Sequence, residues 1–126
     1  TGVDTSGTNG SGAVVQTATD ETASATALTV SLAAFGSPNN MAIGAFGYGG
    51  VSGSLTAGSG FTTIHDVAGS GGDVVFTEYR LNDTTVDITH TDIQPLGGIA
   101  SEIKAAGKAP PPFRKPSRYY TRRRAV

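Results

Sequence analysis

The chain has 126 residues, of which ten are acidic and nine are basic, so its formal net charge is −1. It has no cysteine, which excludes disulfide bonds and cysteine-ligated zinc, and no run of about 18 apolar residues that would predict a membrane-spanning helix. Its 18 glycines and many serines and threonines favour short strands joined by tight turns over helices.

Charge is distributed unevenly along the chain. Residues 1–104 contain all ten acidic residues and only two bases, Arg80 and Lys104, so their net charge is −8. Residues 105–126 contain seven bases and no acid, so their net charge is +7. A run of like charge is typical of an interaction segment, because it repels itself and binds an opposite surface. The sequence therefore predicts an acidic body with a basic tail.

The first part of the chain predicts a lead-in followed by short strands. Residues 1–12 are polar and rich in glycine, and we expect a flexible lead-in or an inter-subunit segment there. Alternating apolar and polar residues then indicate half-buried strands, and Leu28, Val30 and Leu32 should share one buried face. The predicted strands cover residues 13–18, 26–33, 41–48, 61–67, 73–81, 85–91 and 98–104.

The last two of these strands are predicted as separate elements. Val86 and Ile88 should point inward, Gln94-Pro95 should turn the chain, and Ile99 and Ile103 should be buried in the final strand. The final strand also has the i, i+4 spacing of a helix, so a helix remains an alternative there.

Seven short strands at intervals of about 8–12 residues indicate an all-β fold. We expect an antiparallel β-sandwich domain, jelly-roll-like, over residues 13–106.

Residues 107–126 are predicted to be a proline-rich basic C-terminal arm. The prolines favour extended polyproline II, which is a stiff spacer, and the following residues have too little apolar content to fold alone. We expect the arm to lie on a neighbouring copy, with its tyrosines against that copy and its arginines against acidic bodies. Its anchoring residues are Pro110, Pro111, Pro112, Phe113, Arg114, Lys115, Arg118, Tyr119, Tyr120, Arg122, Arg123 and Arg124.

Two other interpretations of the arm stay open. It could bind nucleic acid, with its cations on phosphates and a steep dependence on salt. It could also be a solvated tail without a partner. Self-association is preferred, because the acidic body of another copy supplies the opposite charge.

Candidate metal ligands have a simpler structural explanation. His65 and His90 match no metal-binding spacing, and a structural or surface histidine is the preferred interpretation. Asp83, Asp87 and Asp92 form no calcium-loop motif, so solvation of strand ends explains them better than calcium does. We predict no metal and no cofactor.

No pattern typical of catalysis occurs in the chain. There is no G-x-S-x-G motif, and Gly44–Gly53 lacks the lysine of a phosphate-binding loop. Aromatic pairs such as Phe46 with Tyr48, or Phe76 with Tyr79, could bind sugars, but packing in the core is their usual role. The sequence therefore predicts a protein that is not an enzyme.

Several segments are similar to a β-sandwich module that recurs in bacterial extracellular proteins and in phage structural proteins. They are TGVDTS near the start, NNMAIGAFGYGG, TAGSGFTTI and GGIASEIKAA. The resemblance covers about residues 1–106 and implies no catalytic residues. The strands that precede TGVD in that family are not in this sequence, and Gly97-Gly98 replaces its usual aromatic residue, so the resemblance implies an open sheet edge.

These observations together predict a structural subunit of a repetitive surface assembly. A phage virion component, such as a capsid decoration, tail or fibre protein, is the leading placement. The alternatives are a secreted bacterial filament or surface subunit and a carbohydrate-binding adhesion module. The expected partners are copies of the chain or other virion or surface subunits, with nucleic acid or glycan as further options, in a virion or at a cell surface.

Overall fold

A computed structural model describes residues 2–50, 53–68 and 72–107. Over these residues the chain is all-β, and a 3₁₀ helix over Thr8–Ala13 precedes the first strand. The six strands are β1 (Val14–Ser31), β2 (Met41–Gly49), β3 (Leu55–Ala57), β4 (Thr62–Ala68), β5 (Asp73–Leu81) and β6 (Thr85–Ile103).

The strands form an antiparallel sheet with the order β1-β6-β2-β5-β4. β3 pairs with the first part of β6, where Leu55 lies opposite His90. The outermost strands of the order are β1 and β4, so each has one side of its backbone without a strand partner in the described part of the chain.

The prediction of about seven short strands is wrong in number and in length. The predicted strands 13–18 and 26–33 belong to β1, which has 18 residues. The predicted strands 85–91 and 98–104 belong to β6, which has 19 residues. The sequence splits each long strand in two because polar and turn-forming residues occupy its middle.

β1 and β6 pair along almost their whole length, from Val14 opposite Ile103 to Ser31 opposite Thr85. The prediction that the chain turns at Gln94-Pro95 is therefore wrong. Proline has no N–H to donate to a neighbouring strand. It is accommodated because the register of β1 on β6 is irregular in this region.

Two further differences concern short segments. β3 was not predicted, because it has only three residues and lies within the glycine-rich stretch that follows β2. The final strand continues to Ile103, so the helical alternative for this segment is wrong.

The core lies on one side of the β6-β2-β5 part of the sheet, which we call the inner face. Phe46 and Phe76 lie opposite each other there and are 3% and 2% exposed. The first part of β6 packs over this face. A Cβ built on Gly44 would lie 2.6 Å from Val86 Cγ1, although β2 pairs only with the second part of β6. The buried apolar residues of the core are Leu28, Val30, Leu32, Ala42, Phe46, Tyr48, Leu55, Val74, Phe76, Val86, Ile88, Leu96 and Ala100.

The alternation in the two long strands is confirmed where it is regular. Leu28 and Val30 on β1 are buried, as are Leu32 directly after it and Val86 and Ile88 on β6. Period-2 patterning therefore identifies the core side of both segments correctly.

The prediction for the end of β6 is wrong. Ile99 is 43% exposed and Ile103 is only half-buried, whereas Leu96 and Ala100 face the core. The inner side of the strand is crowded at this point, because a Cβ on Gly98 would overlap the ring of Phe46, 2.6 Å from its Cε1, and would lie 3.3 Å from Leu28 Cδ2. The larger isoleucines therefore lie on the opposite side.

Candidate assembly surfaces

The side of the β6-β2-β5 sheet opposite the core, which we call the outer face, is rich in apolar residues. Leu81 is 61% exposed, Val75 58% and Ile99 43%. The solvated face of an antiparallel sheet is ordinarily polar, and a contiguous apolar patch marks an interaction site. The outer face consists of Met41, Ile43, Ala45, Val75, Thr77, Tyr79, Leu81, Ile99, Ser101 and Ile103.

Strand register makes these residues one continuous surface. Ile43 on β2 lies opposite Tyr79 on one side and Ser101 on the other, and the next outward residue, Ala45, lies opposite Ile99. Side chains at such paired positions are neighbours about 5 Å apart. The exposed apolar residues are therefore adjacent and form one patch.

One end of the outer face is an apolar groove of about 270 Å³. Met41, Tyr79, Leu81 and Ile103 line it, together with Ala105 from the segment that follows β6. The groove therefore lies at the end of β6, where the chain continues beyond the sheet.

The opposite end of the outer face is acidic. A wider groove of about 660 Å³ is lined there by Glu21 on β1 and Asp73 on β5. Gly47 and Gly97, which lie opposite each other, also line it. A carboxylate thus stands on each side of this groove.

The two ends of the described chain are paired beside the apolar groove. Val3 forms an antiparallel bridge with Ala105, and the Asp4 N–H donates to the carbonyl of Lys104 at 3.0 Å. Lys104 Nζ lies 2.8 Å from Asp4 Oδ2, and this ion pair lowers the pKa of Asp4 to about 2. The residues that directly precede the predicted arm are therefore held in place by the N-terminal segment.

β4 is an open edge with exposed apolar side chains. Ile64 is 51% exposed and Val67 42%. Edge strands that avoid pairing with other chains commonly carry lysine or proline, and β4 carries neither. It could therefore pair with a strand of another chain.

Glu102 is a buried carboxylate whose hydrogen bonds are satisfied. Gln16 Nε2 donates to its Oε2 at 2.7 Å, and Asn40 Nδ2 donates to its Oε1 at 2.5 Å. Asn40 Oδ1 in turn accepts the N–H of Ala105 at 3.2 Å. These bonds connect β1, β6 and the segment before β2, and they hold the end of the described chain in place.

Glu78 is buried without such support. Its Oε2 accepts the Gly58 N–H at 3.1 Å, while its Oε1 has no partner among the described residues. Burial raises its pKa to about 7, and the nearby negative charges of Asp87 and Asp83 act in the same direction. The side chain is completely buried, so this carboxyl offers no accessible catalytic group.

The two histidines lie in different environments. His90 is buried, its ring meets Tyr48 edge-on at 4.3 Å, and its Nδ1 accepts the Asp92 N–H at 2.9 Å. His65 lies on the edge strand β4 and is exposed. The structure does not bring them together.

Asp83, one of the three candidate calcium ligands, binds protein groups. Asp83 accepts hydrogen bonds from Arg80 at 2.7 Å and from the Thr85 N–H at 2.9 Å, which supports the turn before β6. Within residues 2–50, 53–68 and 72–107, no three histidine, aspartate or glutamate side chains are placed to hold a metal ion.

The aromatic pairs do not form a sugar-binding platform. Phe46, Tyr48 and Phe76 are buried, as expected for core residues. Tyr79 is 37% exposed, but it lies on the outer face, whereas Phe76 lies on the inner face.

The predicted anchoring residues of the arm, from Pro110 to Arg124, lie outside the described residues. The outer face was not predicted as a surface. Its signal was present in β2 and β5, where apolar residues occur at consecutive positions, as in Val74, Val75 and Phe76. Consecutive apolar residues are typical of a strand that is buried on both faces, so this pattern does not by itself predict an exposed apolar face.

No helix in the described part of the chain is long and apolar enough to cross a membrane. Comparisons with known protein families, with curated proteins and with solved structures gave no match.

Proposed function

We propose that this chain is a non-enzymatic structural subunit that associates with copies of itself in a repetitive surface assembly. The outer face is the observation that carries the proposal. It presents Val75, Leu81 and Ile99 to solvent at 43–61% exposure, and burying such residues against a partner is favourable at roughly 25 cal/mol per Å² of apolar surface.

Two further features support self-association. The edge strand β4 exposes apolar side chains, and one side of its backbone has no strand partner among the described residues, so it can pair with a strand of a neighbouring subunit. The basic arm and the acidic body carry opposite charges of similar size, so each copy offers a complementary surface to the next.

In this proposal the sheet is a jelly-roll-like sandwich, with the first part of β6 and β3 forming a second layer over the inner face. The subunit belongs to a phage virion, as a capsid decoration, tail or fibre protein. A secreted bacterial filament is the second placement. Both placements come from the resemblance of residues 1–106 to β-sandwich modules of extracellular and phage structural proteins.

A carbohydrate-binding adhesion module is a second candidate function, favoured by the exposed ring of Tyr79 in the apolar groove. It predicts that Tyr79→Ala abolishes retention on immobilised polysaccharide while the oligomeric state stays unchanged. If the natural chain and the Tyr79→Ala variant are retained equally, or if neither is retained, this candidate function is rejected.

The assembly proposal is tested by measuring the mass of the full chain by light scattering over a range of concentrations. We expect oligomers that grow with concentration at low salt. Because salt screens exposed charges, the arm-dependent part of the association should weaken at high salt. A single-copy mass at every concentration and at both salt levels would overturn the proposal.

A further inference from the structure

We infer that the outer face is the docking site for the C-terminal arm, residues 107–126. This inference rests on the proposed function and names the surface that receives the arm. Three features point to this site: the place where the described chain ends, the length of the arm, and the change in the properties of the face from one end to the other.

The described chain ends beside the outer face. Ala105 lines the apolar groove with Met41 and Leu81, and its bridge to Val3 anchors it there. The arm begins two residues later, so it starts at the apolar end of the face and needs no further linker to reach it.

The arm is long enough to cover the face. From Leu81 to Asp73 the strand β5 makes eight residue steps, or about 27 Å at roughly 3.4 Å per residue. Nine residues in polyproline II cover about 28 Å at roughly 3.1 Å per residue. In that conformation the segment 108–116 would span the whole length of β5, and ten residues would remain beyond it.

The order of residue types in the arm matches the order of surfaces along the face. After Gly107, Lys108 and Ala109, the first half of the arm consists of three prolines and Phe113, and the face begins with its apolar groove. The arm continues with Arg114 and Lys115, and the face ends between the carboxylates of Glu21 and Asp73. An arm that runs antiparallel to β5 thus meets apolar surface first and acidic surface second.

The contacts are the same whether the arm covers the sheet of its own copy or that of a neighbour, because exchange of an identical segment between copies preserves every contact. Exchange between neighbours is one of the contacts through which the proposed function would assemble copies. The following experiments therefore test the docking site and the exchange separately.

The docking site is tested with a fluorescent reporter in the full chain. The protein has no tryptophan, so Phe113→Trp introduces a single one. We expect a blue-shifted emission and reduced quenching by acrylamide, both reversed by adding Val75→Asp on the outer face. The control is Ile93→Asp, because Ile93 is 67% exposed and lies outside the outer face. It should leave the emission unchanged.

A tryptophan that is freely quenched, or one that is protected regardless of Val75→Asp, would overturn the inference. Circular dichroism of each variant verifies that the sheet is folded. Both substituted positions are largely exposed, so their effect on folding should be small.

Exchange is tested by oxidising the double variant Val75→Cys with Phe113→Cys, since the natural chain has no cysteine. Covalent dimers and larger species would support both docking and exchange. A cross-linked monomer would support docking on the outer face and overturn exchange between neighbours. The matched pair Ile93→Cys with Phe113→Cys should not cross-link.

If no cross-link forms, light scattering on the same protein shows whether the docking inference alone fails or the proposed function fails as well. If the protein still oligomerises, the docking inference fails and the proposed function stands. If it is also a single copy at every concentration, both fail.

Discussion

The two faces of the β6-β2-β5 sheet differ in a way that reverses the usual arrangement. The inner face buries the carboxyls of Glu78 and Glu102 among its core residues, whereas the outer face exposes Val75, Leu81 and Ile99. Exposed apolar surface is the more informative feature, because buried polar groups are tolerated when they are hydrogen-bonded and a large apolar patch ordinarily marks a partner site. The fold itself completes the inner face, whereas the outer face is the surface that the proposed assembly would cover.

The largest expected effect comes from truncating one large apolar side chain on each face and comparing the loss in the free energy of unfolding. Phe76→Ala should lower the free energy of unfolding by about 3–5 kcal/mol, because it leaves a cavity opposite Phe46 in the core. Leu81→Ala should change it by less than about 0.5 kcal/mol in the single-copy state, since Leu81 is 61% exposed. Urea unfolding at low protein concentration measures both values. If Phe76→Ala and Leu81→Ala lower the free energy of unfolding equally, the two faces do not differ in this way.

The second effect concerns the unsupported carboxyl on the inner face. Its pKa is raised from 4.5 to about 7, so between these values the folded state retains a proton that the unfolded state has lost. The contribution of Glu78 to stability is therefore highest below pH 4.5, falls as pH rises to about 7, and is constant above it. Glu78→Gln should stabilise the protein at pH 8 by on the order of 2–3 kcal/mol, and at pH 4 it should have little effect.

The matched control is the same substitution at the supported carboxyl. Glu102→Gln should destabilise the protein at every pH, because an amide cannot accept hydrogen bonds at both ends from Gln16 and Asn40. Thermal unfolding of the natural chain and both variants between pH 4 and 8 measures these effects. A Glu78→Gln variant with the pH profile of the natural chain would show that Glu78 is not the titrating group.

The smallest effect compares two adjacent glycines that lie on opposite faces. Gly98→Ala should cost about 1–3 kcal/mol, because its Cβ would overlap the ring of Phe46 on the inner face. Gly97→Ala should be neutral or slightly stabilising, since nothing lies within 4 Å of its Cβ position. Chemical unfolding of the two variants in parallel measures the difference. If the two variants lose similar free energies of unfolding, the two positions are equally crowded and the expected difference between the faces is wrong.

Sequence patterning predicted the β class and the regular strand segments. Residues 26–33 and 85–91 alternate strictly, so Leu28, Val30, Val86 and Ile88 were assigned to the core correctly. The pattern failed at Ile99, where apolar residues occur on both sides of the strand and alternation cannot distinguish core from surface. Only the packing of Phe46 and Leu28 against Gly98 determines which side is buried.

The candidate site was predicted in part. The arm is inferred from a run of charge and proline, which depends only on composition, and it stays a prediction because it lies outside the described residues. The outer face requires the pairing of β2 with β5 and β6, which brings Ile43, Tyr79 and Ile99 together from distant parts of the chain. No local pattern contains that information.

The sequence by itself determined the all-β character, the acidic body and the basic tail, because strand periodicity and charge are local properties of the chain. The tertiary structure alone decided that β1 and β6 are long continuous strands, and that Glu102 is supported while Glu78 is not. It also decided that one apolar face stays uncovered by the described residues. Those features depend on which strands become neighbours, and that is settled by long-range pairing and by the space available between packed side chains.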